Sequence, residues 1–285
     1  MMLFDTTPDG YAPRNAPASQ ALGRRVYRVS IHGQYYWLKL QLKNSNAKAE
    51  HSFLYELSLY QHFAAQHLEP CYLPFEIVAV ADLNDPNLNK LALHEQGLLL
   101  PDSAAHFATN PILLSADQRI HLCLQSLDAV ARLHQLGYVH GDLKIQHLRH
   151  YAGHCRFIDF EYCFQAGQYQ VGHQVEQNQV GQNNLACQHG SPRYMAPELF
   201  NGERCSVRSD IYALGIIWLQ WLQQQYLYAQ DYQAWRHMHQ QGIYIDLAVA
   251  LQDFHALLGL MLTVDPNRRL QDIAQVKQAL ISILL

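Results

Sequence analysis

Two aspartates, Asp142 and Asp159, stand 17 residues apart in the stretch YVHGDLKIQHLRHYAGHCRFIDFEYC, residues 138–163, with His147 between them. Asp142 follows a helical pattern, a glycine and a short extended segment, and Asp159 closes the strand-like HCRFI, so both stand at element ends, where side chains reach clefts. A single loop aspartate is more often a turn or cap residue. A pair allows a division of labour in which one carboxylate accepts a proton and the other holds a metal. Phosphoryl transfer needs that division, because the protein mainly positions the nucleophile and neutralises phosphate charge. Histidine is a metal ligand in its neutral form, which makes His147 a third candidate.

The elements that must position these groups are legible in outline. Residues 24–31 (RRVYRVSI) and 35–42 (YYWLKLQL) alternate around HGQ and predict a hairpin. In the next segment Phe53, Leu57, Tyr60 and Ala64 recur at helical spacing, leaving Glu56 beside the stripe. LPFEIVAVAD and KLALHEQ predict two more strands across the turn-rich LNDPNLN. After Gly97 the texture becomes helical: Ser115 and Gln118 form a capping-box pattern for a long helix that Gly137 can end, and further helices are expected over 208–225, 247–262 and 271–284. No internal repeat is present, and the one low-complexity stretch is the Gln-rich QAGQYQVGHQVEQNQVGQNNLACQ.

The segments HGDLKIQH, IDFE, GSPRYMAPE, SDIYALG and DPNRR, in this order, resemble the successive signatures of the eukaryotic-like Ser/Thr protein kinases, in a compact bacterial-type form. The resemblance covers nearly the whole chain. It implies an α+β, two-lobed fold: a β-rich nucleotide lobe over residues 1–97, its first 20 or so residues flexible, and a helical catalytic and substrate lobe over residues 98–285. It also implies ATP and Mg2+ or Mn2+ as cofactors and Ser or Thr hydroxyls of a protein as acceptors.

Residue by residue, Asp142 resembles the catalytic base, Lys144 the lysine that steadies the transferred phosphate, and Ser191 the hydroxyl residue that contacts both. Tyrosine kinases usually lack that lysine. Asp159 resembles the metal-holding aspartate, although Glu161 replaces the glycine two residues on. Lys39 and Glu56 match the phosphate-binding lysine and its helix partner, with Glu50 as the fallback. Glu198 and Arg269 match a buried structural ion pair, and Asp210 the residue that clamps the catalytic loop. The phosphate-covering loop is reduced to Gly23, where Arg24 and Arg25 offer compensating charge or stand as solvated strand-edge residues. Adenine is expected against Leu22 and the hinge at Glu95 to Gly97. His147 replaces the asparagine that binds the second metal. A similar histidine in kinases of lipopolysaccharide core sugars keeps a glycan or small-molecule acceptor in play, and the thin glycine loop keeps open a pseudokinase acting as a binding module.

Composition narrows the partners. A net charge of −4 gives no bulk attraction to nucleic acid. The 17 histidines are scattered rather than clustered in tracts, and the six cysteines form no C-x-x-C pair, so neither a zinc site nor a redox motif is indicated. The N-terminus lacks a signal-peptide pattern, and no apolar run is long enough to span a bilayer. A cytoplasmic protein without membrane insertion is expected. Since the sequence stops just after the last helical pattern, regulation is expected from a separate protein or from ligand availability. Gly141 stands where many kinases have an arginine that pairs with a phosphorylated loop, and residues 161–190 contain no serine or threonine. Activity independent of loop phosphorylation follows, with Tyr162 and Tyr169 the hydroxyls to watch.

Overall fold

The computed structural model describes residues 13–66, 68–83, 91–166 and 191–284; most of the Gln-rich stretch, with Tyr169, lies outside them. The chain forms two compact units. One comprises the chain up to Leu68 together with Tyr72–Ser103, the other Glu69–Cys71 together with Ala104–Leu285. Antiparallel strands and segregated helices make the fold α+β.

The first unit is built on a four-stranded antiparallel sheet of β1 (Arg24–Ile31), β2 (Gln34–Gln41), β3 (Glu76–Ala79) and β4 (Gln96–Pro101), ordered β1-β2-β4-β3. The β1–β2 turn consists of His32 and Gly33, both at positive φ, as a tight two-residue hairpin turn of this hand requires. Tyr27, Val29, Leu38, Leu40, Val78 and Leu99 form the core on one side of this sheet. The preceding helix α1 (Pro17–Ala21) starts on a proline. Helix α2 (Ala47–Ala64) is capped by Asn46, which accepts from the Ala49 amide. It buries Phe53, Leu57, Tyr60 and Phe63, and the expected stripe residue Ala64 is exposed.

The fourth strand differs from the sequence expectation. Within KLALHEQ, Leu93 makes only an isolated bridge to Leu42, and the strand begins at Gln96. β4 lies between β2 and β3, and Leu98, Leu99 and Leu100 are all buried. A run of three leucines in a central strand shows no alternation that would mark it as a strand. The expected lobe boundary at Gly97 therefore falls inside β4, and the first unit continues to Ser103.

The second unit is mainly helical. Helix α3 (Ala116–Gln135) has the expected capping box, with both the Ser115 and Gln118 bonds made, and Gly137 follows it at φ 81°. Small antiparallel sheets join β5 (Ala104–Ala105) to β7 (Leu148–Tyr151) and β8 (His154–Phe157), and β6 (Tyr138–Val139) to β9 (Phe164–Gln165). Helix α4 (Val207–Gln223) is buried along almost its entire length, with Trp218 and Trp221 among the largest enclosed side chains. Helix α5 (Tyr232–Gln241) has no counterpart in the sequence reading. His239 is its one fully enclosed residue; Tyr232, Trp235, Met238 and His239 recur at helical spacing in YQAWRHMHQQ, but the ten-residue segment is polar on average and is easily passed over. The expected helix over 247–262 is a 3-10 turn followed by α6 (His255–Met261), and α7 (Ile273–Ile281) closes the unit. Among the described residues no helix is long and apolar enough to cross a membrane.

Candidate active site

In the first unit β2 sends Leu38 and Leu40 into the core and Lys39 to the opposite face. The Lys39 Nζ lies 2.7 Å from Glu56 Oε2, and the Glu56 side chain is fully buried. A carboxylate is not tolerated in that position without a cation, so the helix stripe and the strand register jointly specify the pair. Glu50, the fallback partner, accepts instead from the Ser45 amide at 2.9 Å and meets His94 at 3.2 Å.

Three of the four residues expected to contact the nucleotide have other packing or hydrogen-bond partners in this unit, and Leu22 is half-exposed. Gly23 has φ 88°, and a Cβ there would collide with Ser45 and Gln41, so the glycine serves the close approach of β1 to the turn after β2. The segment before it is the short helix α1 rather than an extended glycine loop, and Leu22 is the half-exposed residue that ends that helix. Glu95 lies at the surface 3.3 Å from Lys43, and its carbonyl already accepts from the Val80 amide. Gly97 pairs with Val78 inside the sheet, where a Cβ would fall on Leu40. Arg24 is buried over the Phe53 ring and donates to the Ala49 carbonyl, and Arg25 donates to the Gln20 carbonyl.

In the second unit β6 delivers the chain to His140, to Gly141 at φ 76°, and to Asp142. Asp210, in the first turn of α4, accepts from the His140 amide at 2.8 Å, the Gly141 amide at 3.1 Å and the His134 ring at 2.9 Å. The backbone leading to Asp142 is thereby pinned to a helix buried along almost its entire length. Asp142 accepts from Lys144 Nζ at 3.1 Å and from the Ser191 backbone amide at 2.9 Å. Ser191 thus reaches Asp142 through its main chain, not through the expected hydroxyl.

Asp159 has φ 68°, an uncommon conformation for a non-glycine residue, seen at functional turns. Phe160 beside it is fully buried against His140. The Ile158 amide donates to the His147 carbonyl at 3.1 Å, which brings the two segments together. His147 Nε2 then lies 3.2 Å from Asp159 Oδ2. Two ligands cis on one octahedral ion with bonds of about 2.1 Å stand about 3 Å apart, so a carboxylate and an imidazole at this spacing fit a divalent cation. His140 stacks on His147 at 5.6 Å, neither of its ring nitrogens has a hydrogen-bond partner, and burial holds its pKa down at about 4.

Glu198 and Arg269 form a two-pronged buried pair, with both bonds at 2.8 Å, and Ser209 also donates to the carboxylate. The Arg269 guanidinium further donates to the Thr263 and Arg208 carbonyls and lies 4.9 Å from the Tyr212 ring centroid. Arg269→Ala strands the carboxylate, so an expected loss of about 3–5 kcal/mol follows. Urea unfolding checks this, and a loss under about 1 kcal/mol would remove the structural role.

The sequence reading missed His134 and His140. His140, two residues before Asp142, lay in the quoted stretch, but nothing in a lone histidine signals enclosure. His134 sits in the last turn of a helix, where a solvated side chain is the ordinary expectation.

Comparison with known proteins agrees with this geometry. A family model described as "Protein kinase domain" matches residues 32–281. The probable serine/threonine-protein kinase mkcF of Dictyostelium discoideum is 33% identical over 35% of this chain and 13% of its own length. The serine/threonine-protein kinase shk1/pak1 of Schizosaccharomyces pombe is 23% identical over 55% of this chain and 23% of its own. The probable serine/threonine-protein kinase PknB of Lactococcus lactis is 31% identical over 36% of this chain and 15% of its own. The chain thus spans less than a quarter of the length of these relatives.

Proposed function

The chain belongs to the protein kinase family, and on that premise we propose that it transfers the γ-phosphate of ATP to serine or threonine hydroxyls of a protein. The observation that carries the reading is the Asp142 carboxylate, buried on a pinned loop with Lys144 beside it. Asp142 orients the acceptor hydroxyl and takes its proton as that oxygen bonds to the γ-phosphorus and the bond to the ADP oxygen breaks. Lys144 offsets charge on the transferred group. Lys39, held straight by Glu56, offsets charge on the other phosphates. Asp159 and His147 would hold a divalent cation, which when bound neutralises phosphate charge. In this reading the first unit holds the nucleotide and the second carries the chemistry, in a cytoplasmic protein. Incubation with labelled ATP, Mg2+ or Mn2+ and protein acceptors tests it. Label transfer to serine or threonine supports it, and ATP-dependent labelling of a sugar alone, or of nothing, refutes it.

The histidine sets the metal preference. A nitrogen ligand suits hard, octahedral Mg2+ poorly, whereas Mn2+ accepts it more readily. Turnover in Mn2+ should exceed that in Mg2+ at equal concentration, and His147→Asn should restore the preference for Mg2+. Equal metal profiles for wild type, His147→Asn and His147→Ala would sink the ligand role.

A further inference from the structure

Arg193 follows Ser191 by two residues, and the Ser191 amide is bonded to Asp142. Its guanidinium carbon lies 5.3 Å from the ring centroid of Tyr226 and 5.8 Å from that of Trp235. The Nε is buried with no acceptor, and no acidic side chain pairs with this cation among the described residues. Three other arginines are matched with acids, Arg269 with Glu198, Arg28 with Asp102 and Arg132 with Glu69, and Arg25 and Arg119 donate to backbone carbonyls. Aromatic faces orient a guanidinium, at roughly 0.5–1 kcal/mol each, without cancelling its charge. Arg193 is therefore a fixed and uncompensated positive group close to Asp142.

The space next to it is shaped for a chain. Tyr226 also lines an open groove of about 610 Å³ with Tyr228, Met238, Ile243 and Tyr244. The groove's three tyrosines, Tyr226, Tyr228 and Tyr244, are 57%, 75% and 82% exposed. Two residues of backbone span at most about 7 Å, so an acceptor whose hydroxyl meets Asp142 carries its near neighbours past the Arg193 side chain.

Resting on the phosphotransfer reading, we infer that Arg193, clamped between Tyr226 and Trp235, is a specificity-determining residue that selects acceptor proteins with a carboxylate side chain within three residues of the acceptor hydroxyl. A planar guanidinium with its orientation already fixed matches a carboxylate through paired hydrogen bonds and loses little freedom in doing so.

The test uses the full chain and labelled acceptor peptides in which a single Glu replaces Gln at each position from three before to three after the hydroxyl. At one position Glu should raise kcat/KM at least about tenfold, chiefly through KM. Arg193→Gln should abolish the gain, and Arg193→Glu should transfer the preference to Lys at that same position. Anisotropy binding of the same peptides separates the two readings. If wild type binds the Glu peptide more tightly, Arg193→Gln erases that difference, and no peptide is phosphorylated, then phosphotransfer fails and the Arg193 assignment stands. Equal kcat/KM and equal affinity for Glu and Gln peptides at every position, or an acid preference that persists in Arg193→Gln, overturns the assignment.

Discussion

Lys39→Ala and Asp159→Ala are each expected to lower phosphotransfer at least about a hundredfold, the size of loss seen when one preorganised electrostatic group is removed from a transition state. The two residues lie in separate units of the fold, and in the proposed reading they act on different parts of the phosphate chain. For Lys39 the geometry adds a second effect. Its removal takes away the cation 2.7 Å from a fully buried Glu56, so the variant should also lose stability. Glu56→Gln keeps the volume while removing the charge, and it should lose turnover with a smaller stability cost. Initial rates with labelled ATP, read beside nucleotide affinity and thermal unfolding, distinguish the contributions. Wild-type rates in both Lys39→Ala and Asp159→Ala would refute the site assignment.

Mild acid should unfold the second unit. Two histidines outside the candidate site, His106 and His239, are enclosed, and burial holds the pKa of each down at about 4. His106 shares a hydrogen bond with the Leu122 carbonyl and His239 with the Tyr212 hydroxyl. Unfolded, each titrates near the ordinary value of about 6.5. Between these values the unfolded chain binds more protons than the folded one, so stability is complete above about pH 6.5 and is lost progressively as the pH falls towards 4. At about 1.4 kcal/mol per unit the loss approaches roughly 3 kcal/mol per histidine, against a total of about 5–15 kcal/mol for a typical domain. Urea midpoints from pH 7.5 to 4 should fall steeply in wild type. The slope should be shallower in His239→Gln, and flatter still when His106→Gln is added. A wild-type midpoint independent of pH would overturn the argument.

What could be read from the sequence followed the strength of the chemistry at each position. Lys39, Glu56, Asp142, Asp159 and Asp210 stand out in the sequence through the resemblance of their segments to kinase signatures. The structure then joins Lys39 to Glu56, Asp142 to Lys144, and Asp210 to the loop amides. The partners of Gly23, Glu95 and Gly97 are not legible in the sequence because a glycine or a surface acid carries no record of them. Only the packing of Ser45, Lys43 and Leu40 against them assigns their use. β4 is displaced because three consecutive leucines have no period, and α5 escapes notice because it is short and polar on average although its few aromatic residues share one face. The enclosure of His140 depends on Phe157, Phe160 and His147 converging on it. No single segment encodes that arrangement.

The bonds that shape the catalytic loop are long-range in sequence. Asp142 meets Ser191 across 49 residues, Gly141 meets Asp210 across 69, and Glu198 meets Arg269 across 71. Closing loops of that length costs entropy before any contact repays it. Helix α3, held by its own capping box, can form from neighbouring residues alone, whereas the geometry around Asp142 exists only once distant segments have docked. The arrangement around Asp142 is thus a late property of the folding chain, and a partly folded or nascent form would already hold its helices while lacking that arrangement.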